Sequence, residues 1–246
     1  MRGVEMNNDL MIRSIYIDWD QIESDSYLRN IEALRDKARI DFHAQTTILT
    51  GENGSGKSTL LEAIAVAYGF NPEGGSRNYS FSTYDSHSEL SKAVTLVKGI
   101  RKHNGWGYFL RAESFYNVAT AEEEYSKDTP KGPMYYHRRS HGESFLALAQ
   151  ENFRSRGLYL LDEPEAALSP RRQMTMLIEI MESIKLGSQF IIATHSPILS
   201  GIPDAELWSF DGPLHTCTYE ETDAYTVTRM FINSREQILK HLLEEE

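Results

Sequence analysis

Gly51-Glu52-Asn53-Gly54-Ser55-Gly56-Lys57-Ser58 fits the pattern G-x-x-x-x-G-K-[ST]. Thr46 to Thr50, just before it, reads as a short buried strand. From Ser58 onward Leu60, Leu61, Ile64, Ala65, Ala67 and Tyr68 fall on one helical face, and Gly69 sits where a C-terminal cap belongs. A strand, a glycine-rich loop and a helix in that order make a phosphate cradle. The glycines let the backbone wrap so that consecutive N–H groups converge on phosphate oxygens. The helix N-terminus adds positive partial charge beneath them. Lys57 brings a point charge to the outer phosphates and Ser58 an oxygen ligand for Mg2+. Thr59, next on the helix, is counted with the loop as nucleotide-binding.

Leu158-Tyr159-Leu160-Leu161-Asp162-Glu163 is four apolar residues followed by two acids. A buried strand delivers such acids to the carboxyl edge of a sheet, where ligands of open α/β sheets bind. Beside a phosphate loop, Asp162 is placed to hold Mg2+, and Glu163 to accept a proton from an attacking water.

Outward from these two segments, Ile12 to Ile17 alternates as a strand does, and Asn71 to Leu90 has the Gly, Ser and Asn content of a loop. Ala93 to Arg101 and Trp106 to Arg111 are apolar-alternating runs around Asn104-Gly105, which predicts a hairpin. Asn117 to Pro133 is acidic and polar and predicts an exposed insertion. Glu143 to Phe153 reads as a helix. Met174, Leu177, Ile178, Met181 and Ile184 set the apolar face of another, closed by Gly187. Phe190 to Ala193 is a second buried strand. Leu207 to Phe210 and Thr216 to Tyr219 predict a terminal hairpin, with one or two helices after it. Short apolar strands alternating with helices mean an α/β fold around a mainly parallel sheet. The expected organisation is one domain over 1–246. It has a flexible leader at 1–11, a hairpin and lid insertion at 71–139, and a C-terminal hairpin and helices at 212–246.

The composition is globular: 40% apolar and 25% charged over 246 residues. A net charge of −11 argues against a surface coated with phosphate-binding cations, though a local basic groove remains compatible with it. Cys217 is the single cysteine, so no internal disulfide forms. One thiol is also too few for a zinc cluster, and it fits a reducing compartment. No apolar run reaches the roughly 18 residues of a spanning helix. Met1 to Leu10 has no apolar core of the signal-peptide type. The expectation is a soluble, cytoplasmic protein without direct membrane insertion.

The order of motifs resembles that of ABC-type ATPases. Ser140-His141-Gly142-Glu143 stands where the family signature S-G-G-[QE] belongs, ahead of a helix. Asp162-Glu163-Pro164-Glu165-Ala166-Ala167-Leu168-Ser169 resembles D-E-P-x-x-A-L-D, and Ala193-Thr194-His195-Ser196 resembles the switch-histidine segment. The likeness runs from about Ile12 to Phe210. It implies an ABC-ATPase head: a P-loop NTPase with a mainly parallel sheet, an antiparallel hairpin subdomain and a small helical insertion. It implies ATP and Mg2+ as ligands, and a homodimer that closes head-to-tail on two ATP molecules. Lys57, Glu163 and His195 would then act from one subunit, while Ser140, His141, Gly142 and Glu143 act in trans from the other.

The sequence departs from the family in places. His141 replaces a glycine, and Ser169 replaces the aspartate of the loop that crosses the dimer. For the lid glutamine, also a metal contact, the candidate is Glu113, a plain surface glutamate being the other reading. Tyr27 has the spacing of the adenine-stacking aromatic, but with 13 tyrosines in the chain chance explains that spacing as well.

The segment from Lys57 to Ser140 is too short for the heptad arms of the chromosome-structural branch. The runs ending in Pro170 and in Pro197-Ile198-Leu199 resemble the overcoming-lysogenization-defect and recombination-type branch, as does Ser-x-Gly-Glu at 140–143. The expectation is that no metal-nuclease domain follows His195. Three functions follow from the resemblance: an ATPase coupled to a nucleic-acid event through a separate effector protein, the motor subunit of a membrane transporter, or a non-catalytic ATP-binding switch. Arg138, Arg139, Arg171 and Arg172 are the candidate cations for nucleic acid, solvated helix ends being the other reading.

Overall fold

The computed structural model describes residues 10–77, 89–100, 106–126 and 140–244. In chain order the elements begin with β1 (Ile12–Ile17), β2 (Arg39–Asp41), β3 (Thr46–Thr50), α1 (Lys57–Tyr68) and β4 (Gly75–Ser76). The short helix α2 (Leu90–Ala93) leads into β5 (Val94–Lys98), β6 (Gly107–Arg111), α3 (Phe115–Ser126) and α4 (His141–Asn152). Then come β7 (Leu158–Asp162), α5 (Pro170–Lys185), β8 (Gln189–Ala193), β9 (Glu206–Ser209), β10 (His215–Cys217) and α6 (Asp223–Glu244).

The fold is α/β. A seven-stranded sheet has the order β10-β9-β3-β8-β7-β6-β4, parallel from β9 through β6 and antiparallel at both edges. The central strands β3, β7 and β8 are buried along their whole lengths. Their side chains alternate between two cores, as the two-residue repeat of a strand requires. Leu49, Leu160, Ile191 and Ala193 pack with α1 and the N-terminal segment. Ile48, Tyr159, Leu161, Phe190 and Ile192 pack with residues of α3, α4 and α5. A separate antiparallel sheet, β2-β1-β5, covers the first core. The buried Gln189 side chain fastens the start of β1 to β8. Its Oε1 accepts the Met11 and Ile12 N–H groups at 2.8 and 2.9 Å, and its Nε2 donates to the Ile12 carbonyl at 3.0 Å.

Three expectations need correction. The runs flanking Asn104-Gly105 are strands, but they do not pair with each other. β5 joins β1, while β6 joins β7 and β4. β6 is buried over Gly107–Leu110, so it belongs inside the parallel sheet, and the antiparallel subdomain is completed by β1 and β2 instead. The Asn-Gly pair itself lies outside the described residues.

The segment read as an exposed polar insertion opens as α3, whose Phe115, Val118 and Ala119 are buried in the second core. An i, i+3, i+4 stripe lies hidden among polar letters. Residues 127–133 of that segment, like most of the loop predicted at 71–90, lie outside the described residues, as do residues 1–9 of the leader.

The third correction is the buried face of α5. Gln173, Met176, Ile180 and Ser183 are buried, whereas Met174 and Ile178 are 52% and 58% exposed. The face is turned because Gln173 serves the switch-histidine loop described below. The C-terminal element α6 is two helical segments that meet at a kink at Ser234, where φ is −133° and ψ is 31°.

Candidate active site

The loop between β3 and α1 is wound as its glycines allow. Gly51, Gly54 and Gly56 have φ of 136°, 79° and 101°. At Gly56 a Cβ would lie 2.5 Å from Ile31 Cγ2, so close packing as well as φ requires glycine there. The tip at Glu52, Asn53 and Gly54 is exposed, and Thr59 is half-buried in the first turn of α1.

Lys57 is 3% exposed, and its Nζ donates to the Gly51 and Glu52 carbonyls at 2.6 and 2.8 Å. Burial pulls its ammonium below the usual lysine range, against the raising effect of Glu163, Asp211, Asp162 and Glu52. A cation withdrawn from water, with its donors turned onto carbonyl acceptors, can exchange them for phosphate oxygens.

Across the sheet edge, Ser58 Oγ donates to Asp162 Oδ1 at 2.8 Å. Asp162 ends β7 and is 6% exposed. Burial lifts its carboxyl above the usual range, opposed by the Arg111 charge and the Ser58 hydrogen bond. Arg111, the last residue of β6, holds its Nε 3.3 Å from Asp162 Oδ2 and donates from Nη1 to Glu62 Oε2 at 2.8 Å. A hydroxyl and a carboxylate side by side are hard oxygen donors of the kind Mg2+ takes. The pair therefore fits that ion.

Glu163 follows immediately with φ 48° and ψ 49°, a left-handed conformation uncommon for a residue with a Cβ. Its N–H stays in the sheet, donating to the Ala193 carbonyl at 2.9 Å. The turn leaves the carboxylate half-exposed, with Oε1 3.9 Å from His195 Nε2. Glu163 and His195, read from separate motifs, thus face one another.

Glu113 lies beside this group. Its Oε2 is 3.9 Å from Arg111 Nη2 and its side chain is 88% exposed. A cavity of about 330 Å³ is lined by Ser58, Arg111, Glu113, His141, Asp162 and Glu163.

The signature residues divide. Ser140 is the exposed N-cap of α4. Its N–H and hydroxyl both donate to Glu143 Oε2, at 3.0 and 2.7 Å, in a capping box. Gly142 is buried. A Cβ there would come within 2.8 Å of the Ala167 carbonyl, which gives this glycine a packing role of its own. His141 turns into the cavity of its own chain, its ring against Tyr116 and Phe115 at 4.8 and 5.2 Å. Glu143 Oε1 also pairs with Arg172 at 3.1 Å, so Arg172 is engaged within the chain. Arg171 is exposed, and Arg138 and Arg139 lie outside the described residues. Tyr27 is 58% exposed in a short 3-10 turn.

Four site residues had no role in the sequence reading. Arg111 and Glu62 brace Asp162. Asp211 Oδ1 accepts the Glu52 N–H at 2.8 Å, fixing the loop from beyond β9. Glu165 Oε1 accepts the His195 N–H at 2.5 Å, and its Oε2 the Thr194 hydroxyl at 2.7 Å. A charged residue closing an otherwise buried strand is the available signal for Arg111, and the acid after Glu163-Pro164 for Glu165.

A family model described as "AAA domain" matches residues 27–153, just over half of the chain. A second, described as "AAA domain, putative AbiEii toxin, Type IV TA system", matches 144–201. The chain is similar to the cytochrome c biogenesis ATP-binding export protein CcmA of Rhizobium etli, at 28% identity over 184 residues, 68% of this chain and 84% of that protein. It is similar to the ribose import ATP-binding protein RbsA of Roseobacter denitrificans at 24% identity, over 64% of this chain and 34% of that protein. Among solved structures it resembles cbiO1 of Clostridium perfringens, part of the ABC transporter complex cbiONQ. The TM-score is 0.49 and the identity 16%, over 96% of this chain and 99% of that one. It also resembles the SMC head domain of Thermotoga maritima, with a TM-score of 0.48 and 16% identity, over 85% of this chain and 100% of that one.

Proposed function

We propose, starting from the fact that this chain belongs to the AAA-domain family of P-loop NTPases, that it binds Mg-ATP and hydrolyses it as an ATP-gated head-to-tail homodimer. The observation that carries the reading is the meeting of Ser58, Asp162 and Glu163 around one cavity beside the phosphate loop. The loop amides and Lys57 take the phosphate charge. Ser58 and Asp162 would hold Mg2+, which when bound neutralises charge on the transferring phosphoryl group. Glu163 accepts the proton of the attacking water, and His195 lies close enough to it to orient the same water. Glu113 supplies a further carboxylate at the cavity rim. The exposed Ser140 at the start of α4 presents a helix N-terminus to the γ-phosphate held by the partner subunit.

The sequence of the 162–170 and 193–199 segments supports placement in the overcoming-lysogenization-defect and recombination-type branch. On that reading this chain would act in the cytoplasm with a separate effector protein on a nucleic-acid event. Nucleic-acid contact would be local and ATP-dependent, because a net charge of −11 opposes non-specific binding.

A second reading is favoured by the names of the similar export and import ATP-binding proteins: the motor subunit of a transporter. In this reading the membrane part belongs to another chain; no helix among the described residues is long and apolar enough to cross a membrane. Recovery of the protein with membranes favours the transporter reading. Recovery with nucleic acid in an ATP-dependent, salt-sensitive manner favours the first.

The experiment for the shared core is Glu163→Gln. This variant should keep ATP binding, lose hydrolysis, and accumulate as a dimer in size analysis with ATP while staying monomeric without it. A dimer of the same size in both states would show that association is not driven by ATP. Normal biological function of the variant would point to a non-catalytic switch.

A further inference from the structure

We infer that Glu165 is a positioning residue: its carboxylate clamps the backbone of His195 to the turn that carries Glu163, and so sets the distance between the two groups that face the attacking water. The inference rests on the reading of the site as one for ATP hydrolysis. Glu163 in its left-handed conformation reverses the chain at the end of β7, and the 3-10 turn Pro164–Ala167 folds back, with the Ala166 N–H donating to the Glu163 carbonyl at 3.0 Å. This aims Glu165 across the sheet edge at the residues just beyond β8. One oxygen takes the His195 N–H at 2.5 Å and the other takes the Thr194 hydroxyl at 2.7 Å.

The far side of the clamp is anchored. Thr194 is fully buried, its N–H donates to the Leu49 carbonyl at 3.2 Å, and its Oγ1 accepts the Ser196 N–H at 3.0 Å. Ser196 Oγ in turn donates to Gln173 Oε1 at 2.6 Å, and Gln173 Nε2 donates to the Leu168 carbonyl at 2.9 Å. The chain of bonds therefore leaves the 162–169 turn at Glu165, passes through the His195 loop, and returns to the same turn at Leu168. Two loops from neighbouring strands become one rigid unit, with His195 Nε2 held 3.9 Å from Glu163 Oε1. Charge-assisted bonds of a carboxylate to an N–H and a hydroxyl are the strong kind suited to such a clamp. The carboxylate touches no reacting atom, so its effect would run through His195.

Glu165→Ala, Glu165→Gln and the parent chain should be compared in ATP equilibrium binding, in kcat and KM for Mg-ATP, and in the imidazole NMR signals of His195 without nucleotide. The alanine variant is expected to lose about a hundredfold in kcat, the scale of a misplacement of about 1 Å. ATP affinity and KM should stay within about twofold, since the phosphate loop is untouched. Glutamine keeps an acceptor for the His195 N–H and should recover most of the loss. The His195 signals should move in the alanine variant and return towards the parent values with glutamine. The inference is overturned if alanine leaves kcat within about twofold, if ATP affinity falls as much as kcat, or if glutamine is no better than alanine. Should the parent chain show no hydrolysis, the ATPase reading fails separately. The His195 signals then decide, with a shift in the alanine variant upholding the clamp and unchanged signals refuting it.

Discussion

Ser58 Oγ donates to Asp162 Oδ1 at 2.8 Å although the two residues lie 104 positions apart. β8 stands between β3 and β7 in the sheet, so the contact comes from the glycine loop carrying the first turn of α1 over the sheet edge. The two oxygens meet where a hard divalent cation would take both. Ser58→Ala should therefore weaken the response to Mg2+ while sparing metal-free nucleotide binding through Lys57 and the loop amides. The Mg2+ concentration that half-saturates hydrolysis should rise at least about tenfold, the scale seen even for groups one step removed from a metal. Equal losses with and without Mg2+ would remove Ser58 from the ion's ligand set.

Asp162 carries a stability signature. Burial raises its pKa in the fold above the ordinary value of 3.8, despite Arg111 and Ser58. The folded chain thus binds this proton more tightly than the unfolded chain. Stability contributed at this position falls as pH rises from 3.8 through the raised folded value. Asp162→Asn keeps the shape and removes the charge. At pH about 7 the nucleotide-free variant should melt no lower than the parent chain, because burial of the charge no longer costs stability, while the gain in melting temperature from added Mg-ATP should disappear. A lower melting temperature without nucleotide would mean that the pairing with Arg111 outweighs the burial of the carboxylate.

The parts of this site legible in the sequence are those whose chemistry sits in contiguous residues. The loop Gly51–Ser58 and the acidic strand end at Asp162 and Glu163 need neighbours in sequence to act, so spacing exposes them. Arg111, Glu62, Asp211 and Glu165 act across elements as single charged residues, and no local period marks such a residue. The fold follows the same division. The central strands are buried on both faces and announce themselves as apolar runs. The partner of β5 was not legible, because Asn104-Gly105 describes a turn and not which strand lies opposite. Periodicity does not give the buried face of α5, because a polar residue, Gln173, takes a buried position to bond Ser196 and Leu168. Hydrophobic periodicity is blind to a buried side chain that is polar for a reason of its own.

The arrangement of Ser140 and Lys57 yields the sharpest test of the dimer. Lys57 is buried in its own loop, whereas Ser140 is exposed at the N-cap of α4 and only its neighbour His141 lines the cavity of the same chain. Lys57→Ala should cost about a hundredfold or more in ATP affinity, since charge-assisted hydrogen bonds to the outer phosphates are worth roughly 1.5–3 kcal/mol each. Ser140→Arg should still bind ATP but fail to hydrolyse it, because a bulky side chain there would obstruct the γ-phosphate held by the partner. Mixing the two inactive chains should restore hydrolysis if the proposed dimer holds, since one composite site of the heterodimer would then have an intact phosphate loop facing an intact signature, with the groups that stabilise the transferring phosphoryl drawn from both chains. Heterodimer formation is checked by pull-down through a tag on one chain, and turnover by phosphate release. If heterodimers form and the mixture stays inactive, ATP binding by Ser140→Arg alone separates the two explanations. Lost binding places Ser140 in its own chain's site and removes the head-to-tail dimer. Retained binding means that the two composite sites must fire together.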